Sequence, residues 1–132
     1  MSDGVEICID PWPTDAELAA LSSAAWGHHE GDGFDFQQVL GRSLCHVAAY
    51  SDDRLIGFVN VAWDGGMHAF LIDTMVHPEF QRRGIATRIV RAASQEARRR
   101  GAEWLHVDYE PHLEDFYRGC GFRPTLAGLI RL

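Results

Sequence analysis

The sequence predicts an α/β fold in one domain, 1–132, and three observations predict it. The chain has 132 residues, 46% hydrophobic and 23% charged, which suits one globular domain with a single core. A strand-like run, Phe70 to Val76, passes through His77-Pro78-Glu79 into a helical period. Along the whole chain, strand and helix patterns follow the order β-α-α-β-β-β-α-β-α-β, with no repeats, linkers or low-complexity tracts.

Val5 to Ile9 is a short apolar run and reads as the first strand; Pro11-Trp12-Pro13 turns the chain. Thr14-x-x-Glu17 is a capping box, with Thr14 as N-cap. Leu18, Leu21, Ser22 and Ala25 then share a helical face to about Trp26. Gly27 to Gly33 reads as a loop beside a substrate mouth. Its His28, His29, Glu30 and Asp32 have the composition of metal ligands, but the tight, glycine-rich spacing matches no zinc pattern, and the expectation is no metal. Phe34 to Leu40 is a short second helix stopped by Gly41.

His46 to Tyr50 and Leu55 to Trp63 are strands joined by Ser51-Asp52-Asp53, which is turn chemistry, so they predict a hairpin. Asp64-Gly65-Gly66 turns into the central strand, an apolar run interrupted by Asp73 and Thr74. From Arg83 the period is helical. Ala86, Ile89/Val90, Ala93 and Ala97 share one face, Arg88, Arg91, Arg98 and Arg99 the other, and Gly101 ends the helix. Trp104 to Tyr109 is a strand with Leu105, Val107 and Tyr109 on one face and Trp104, His106 and Asp108 on the other. His112 to Cys120 is a short helix closed by Gly121, and Phe122 to Leu132 a final extended segment.

The net charge of −7 argues against a nucleic-acid partner, and no apolar run is long enough to span a bilayer. Cys8, Cys45 and Cys120 are odd in number and scattered, as reduced cytoplasmic thiols are; no signal peptide precedes them. The arginines concentrate between Arg82 and Arg100.

The first two of these, Arg82 and Arg83, stand at the start of the long helix. A helix N-terminus exposes unpaired N–H groups and carries partial positive charge. Gly84 lets an anion approach the backbone closely, Ala86 keeps the surface low, and Arg82 and Arg83 add full charges. The stretch suits a pyrophosphate; it is also what an ordinary βα turn containing a glycine would look like. Gly-x-x-x-x-Gly-Lys-Ser/Thr and an early Gly-x-Gly-x-x-Gly are both absent, which disfavours a Walker-type NTPase and a dinucleotide fold.

Gln81-x-x-Gly84-x-Ala86, after a strand ending Met75-Val76-His77-Pro78-Glu79, resembles the acyl-CoA signature of the GNAT superfamily of N-acetyltransferases. Phe116-Tyr117-Arg118-Gly119-Cys120-Gly121-Phe122 is similar to that family's late Leu-Tyr-x-x-x-Gly-Phe segment, and the element order matches along the chain. The resemblance implies a mixed central sheet with helices on both faces, the fourth and fifth strands splaying apart around the pantetheine arm of acetyl-CoA. It implies main-chain contacts from Met75 and Val76, and a pyrophosphate loop from Gln81, Arg82, Arg83, Gly84, Ile85, Ala86 and Thr87.

Tyr117 matches the family tyrosine that protonates the departing CoA thiolate; packing in the core is its other reading. The family often places its base at positions corresponding to Phe70 or Ile72, and neither can act. Asp73 has the opposite strand parity. Glu110, where the family often has an asparagine, is free to serve as substrate anchor or base, and His112 is close by in sequence.

The function expected is therefore acetyl-CoA-dependent N-acetyl transfer by direct attack of an amine on the thioester. The acceptor would be a small-molecule or peptide amine, without nucleic acid or membrane, in a chain that could pair as a homodimer through its final segment. The competing readings are a non-catalytic CoA-binding sensor or partner module, and a metal-binding protein using His28 and His29.

Overall fold

The computed structural model describes residues 3–27 and 35–132. The expected loop with His28, His29, Glu30 and Asp32 lies outside the described residues, as does Phe34. Five strands form one sheet in the order β1-β2-β3-β4-β5: β1 Val5–Ile9, β2 Ser43–Ser51, β3 Arg54–Trp63, β4 His68–Val76 and β5 Trp104–His106. The first four pair antiparallel; β5 runs parallel to β4, so the sheet is mixed. The helices are α1 Asp15–Trp26, α2 Phe36–Gly41, α3 Ile85–Arg99 and α4 Glu114–Gly119.

Helices cover both faces. On one, α3 lays Ile85, Ile89, Val90, Ala93 and Ala97 on Val47, Ala49, Val59, Val61, Ala69 and Leu71. On the other, α1 brings Leu18 and Leu21 against Ala48, Phe58 and Met75. The buried row of α3 starts at Ile85; Ala86 is only half-buried. Gly57 allows this close approach, since a Cβ there would meet Ala49 Cβ at 3.2 Å and Ile85 Cγ2 at 3.4 Å.

Local chemistry fixes the ends of these elements. Thr14 Oγ1 accepts from Glu17 N at 3.1 Å while Glu17 accepts from Thr14 N at 2.9 Å, completing the capping box. Asp52 and Asp53 both have positive φ (50° and 64°), the type I′ geometry whose twist suits the β2–β3 hairpin. Beyond Ile9, Asp10 takes up two elements at once. Its carboxylate accepts from His46 N at 3.0 Å and pairs with Arg100, which also donates to Leu44 O at 2.6 Å.

The structure departs from the sequence reading in several places. β4, an apolar run in sequence, leaves Phe70 and Ile72 exposed on one face. The ladder of β5 ends at His106, although Leu105, Val107 and Tyr109 still turn toward the core. Finally, 122–132 is not a strand: Leu126, Leu129, Ile130 and Leu132 are exposed, because no sheet edge within the chain takes them up.

Candidate active site

The β4–β5 ladder pairs His68 with Trp104, Ala69 with Leu105 and Phe70 with His106, and then stops. Both chains continue, β4 to Val76 and the other through Val107 to Glu110, without pairing further. A slot therefore opens between them, floored on the α3 side by the apolar core.

One residue decides what β4 offers to this slot. Phe58 pairs with Met75 and Asn60 with Ile72, so Asp73 and Thr74 together oppose the single residue Val59. This is a β-bulge, and Asp73 at its crown has φ 59°. The extra residue moves Met75 onto the face that Phe70 and Ile72 already share, where it packs with Leu18, Leu21 and Phe58. Val76 is left to the α3 side. The parity argument for Asp73 does not hold, because the bulge takes that residue out of the alternation.

The other wall carries Tyr117. Its ring is 6% exposed and stacks on Tyr109, with centroids 4.9 Å apart and planes at 20°. Phe116 and Phe122 pack edge-on at 4.9 and 5.7 Å. The ring belongs to the core, and the Thr74 side chain at the bulge acts on the hydroxyl, which leaves the phenol compatible with either reading. Burial raises the phenol pKa above its ordinary value; the Thr74 side chain opposes this, and Cys120 and Asp108 add to it.

The loop before α3 lies beyond the end of β4. His77 N donates to Ile56 O at 2.8 Å, and Pro78–Phe80 makes one 3₁₀ turn. Gln81 Nε2 reaches back to Val76 O at 3.4 Å. Arg82 (φ 64°) and Gly84 (φ 76°) both take left-handed conformations, which fold the chain sharply into the helix. Gly84 is the N-cap and supplies no side-chain acceptor, so the first N–H groups of α3 have no cap. Arg83 lies over the Phe80 ring at 5.1 Å, and neither Arg82 nor Arg83 is paired with a carboxylate among the described residues. The Ile85 side chain is in the core, leaving only its backbone to face a ligand; Ala86 and Thr87 are half-buried beside it. The arrangement is a cationic loop with open main-chain donors, chemically fit for a pyrophosphate.

Glu110 and His112 are exposed at the end of the slot's second wall, Glu110 as the residue preceding the 3₁₀ turn Pro111–Leu113. One further contact carries no local sequence signal. His68 and His106 meet across the β4–β5 ladder, Nδ1 to Nε2 at 2.7 Å, and His106 stacks on Phe70 at 4.7 Å. Only the parallel register of two distant strands brings them together. Among the described residues, no group of three or more His, Cys, Asp or Glu side chains could hold a metal ion.

Residues 9–122 match the model of the acetyltransferase (GNAT) family. A mycothiol acetyltransferase of Mycolicibacterium smegmatis is 33% identical over 94 residues, covering 69% of this chain and 32% of that protein. The chain spans less than half the length of the curated relatives it matches. A protein of unknown function from meticillin-resistant Staphylococcus aureus, titled a probable acetyltransferase, superposes with a TM-score of 0.83 at 23% identity, covering 97% of this chain and 98% of that one. The aminoglycoside-modifying AAC(6')-Iy, solved with a CoA–acetylneamine bisubstrate analogue, gives 0.74 at 21% identity, covering 97% of each chain. These two likenesses are likenesses of fold.

Proposed function

The chain belongs to the acetyltransferase (GNAT) family, and from that premise we propose that it transfers an acetyl group from acetyl-CoA to a primary amine by direct attack on the thioester. The observation that carries the reading is the meeting of Tyr117 with the β4 bulge. A buried phenol stands at the place where β4 turns an unpaired main-chain edge toward the slot.

In this reading the pantetheine arm lies in the slot against Met75 and Val76, whose backbone supplies donors. A main-chain N–H aimed at the developing oxyanion lowers the barrier to acyl transfer. Gln81 to Thr87 wrap the pyrophosphate, with Arg82 and Arg83 supplying charge and Gly84 the open backbone. Tyr117 gives its proton to the departing thiolate; burial keeps that proton on the phenol until needed. Glu110 anchors the incoming ammonium at the slot's outer end, or serves as its base.

The acceptor we propose is a small-molecule or peptide amine. The net charge of −7 favours cationic molecules in the encounter, and AAC(6')-Iy, with the same fold, was solved with an analogue of an aminoglycoside amine. We place the protein in the cytoplasm as one domain: Cys8, Cys45 and Cys120 are all free thiols, and no helix among the described residues is long and apolar enough to cross a membrane. The exposed apolar side chains of 122–132 support a homodimer through that segment, and light scattering that finds only monomer would remove it.

Calorimetry with acetyl-CoA, using desulfo-CoA and ATP as controls, tests the cofactor; thiol release with spermidine, tyramine and sisomicin tests the transfer. Micromolar acetyl-CoA binding with amine-dependent thiol release is expected. Binding without release for any amine would favour the CoA-binding module. No binding of any CoA species would reduce the loop to a βα turn.

A further inference from the structure

An ammonium must lose a proton before it can attack, and the slot so far described holds an acid but no committed base. We propose that His106, oriented by His68 and Phe70, is the proton acceptor for the incoming amine. The inference rests on the acetyl-transfer reading and deepens it.

The geometry of the pair is specific. Two imidazole nitrogens at 2.7 Å share one proton, so one ring donates and the other accepts. With His106 donating from Nε2, its Nδ1 carries a free lone pair. Protonation there makes an imidazolium whose charge is held by a charge-assisted hydrogen bond to His68. The Phe70 face, stacked at 4.7 Å and 21°, fixes the ring plane.

The placement is as specific as the geometry. Phe70 and His106 are the last pair of the β4–β5 ladder, so His106 stands where the slot begins. His68, Phe70 and Ile72 alternate on the face opposite α3, and the bulge adds Met75 to that same face. At a strand rise of roughly 3.3 Å per residue, Phe70 and Met75 are about 13–16 Å apart, so the proton travels through water along the exposed face. Phe70 and Ile72 are 39% and 36% exposed and leave that route open.

The charged groups around the pair are mostly acidic. Asp64, in the β3–β4 turn, accepts from His68 N at 3.2 Å and faces its ring; Glu103 precedes β5; Asp108 lies two residues beyond His106; Asp73 crowns the bulge across the slot. Arg98 and Arg123 line the cavity that continues around β5. As classes, carboxylates titrate near 4 and imidazoles near 6.5 in water, so an imidazole is better matched to taking a proton at neutral pH.

The proton balance closes. The ammonium gives one proton to His106, which passes it to solvent. The neutral amine attacks the carbonyl carbon, the C–N bond forms and the C–S bond breaks. The thiolate takes the Tyr117 proton, and the second amine proton, released from the tetrahedral adduct, restores Tyr117.

The test compares wild type with His106→Gln and His68→Asn, using tyramine, spermidine and sisomicin as acceptors. The ratio of wild-type to H106Q kcat/KM cancels the amine's own titration. It should rise with pH from near 1 to about 100, through the midpoint at which NMR sees His106 titrate. H68N should move that midpoint and the NMR titration together, with acetyl-CoA affinity unchanged in both variants. A pH-independent ratio, or a kinetic midpoint that ignores the NMR titration of His106, overturns the assignment and leaves acetyl transfer standing. No thiol release by wild type with any of the three amines overturns both.

Discussion

Tyr117 of α4 faces Thr74 of the β4 bulge, whose side chain lowers the phenol pKa against the rise that burial imposes. Tyr117→Phe keeps the ring and its stack on Tyr109 while removing the proton. Turnover should fall by about 10²- to 10⁴-fold, with acetyl-CoA affinity changed less than about twofold. Unchanged turnover would take Tyr117 out of the mechanism. Because burial raises the phenol pKa, the donor stays protonated through neutral and mildly alkaline pH, and the alkaline fall in kcat should lie above the usual tyrosine range. The Thr74 contact pulls that pKa down, so Thr74→Val should push the fall to still higher pH; a shift the other way would contradict the assignment.

The loop before α3 separates strain from charge. Gly84 has φ 76° with open space where a Cβ would stand, so Gly84→Ala costs about 1–2 kcal/mol in backbone strain without a clash. It should lower Tm by several degrees and weaken acetyl-CoA binding together. Arg83→Glu should leave Tm within a degree or two and weaken binding by tenfold or more, with a loss that shrinks as salt is added. Calorimetry at two salt concentrations with parallel melting curves distinguishes them. Salt-independent binding by both proteins would place the anion elsewhere.

Cys45 sets an alkaline limit on stability. It is 1% exposed, and burial pushes its thiol pKa up to about 11, with Arg100 opposing in part. In the unfolded chain a thiol ionises near 9. Below that pH both states hold the proton and nothing is lost. Above it the unfolded state releases its proton first, so stability should fall by about 2–3 kcal/mol between pH 9 and 11 and then level. Cys45→Ala should lose this share of the pH dependence while being less stable at pH 7. Urea titrations across pH 8–11 measure it, and parallel curves for the two proteins would refute it.

Arg100 ties the C-terminal end of α3 to β1 and β2 through Asp10 and Leu44 O. It is not among the proposed site residues. Arg100→Ala should cost about 1–3 kcal/mol, since it strands a carboxylate and a carbonyl. Acetyl-CoA affinity should not change. A loss of affinity larger than the loss of stability explains would show that the clamp shapes the slot as well.

What the sequence revealed was local chemistry. The capping box Thr14–Glu17, the Ser51-Asp52-Asp53 turn and the Gly84 helix start each combine residue types with few other structural uses, and each appears at its expected place. The bulge at Asp73 did not show, because period-2 reasoning has no means of seeing an inserted residue; only the register against β3 reveals it. The extent of β5 was overestimated because alternation reports which way side chains turn, and Val107 and Tyr109 turn inward whether or not the backbone is paired. His68 and His106 are 38 residues apart, and no short-range pattern connects them.

The three-residue ladder between β4 and β5 also makes a weak seam. The segment from β5 to α4 joins the main sheet's backbone ladder through those three pairs, its remaining contacts being mostly side-chain ones such as His68–His106 and the packing around Tyr117. Amides of Leu105 to Tyr109 should exchange with deuterium well before those of Val59 and Val61 at the sheet centre. A molecule lying in the slot and bonding both edges would take the place of the missing rungs. Its binding should slow exchange on both walls at once, making the substrate a temporary strand of the sheet and the segment from β5 to α4 a unit that sets fully only while it is held.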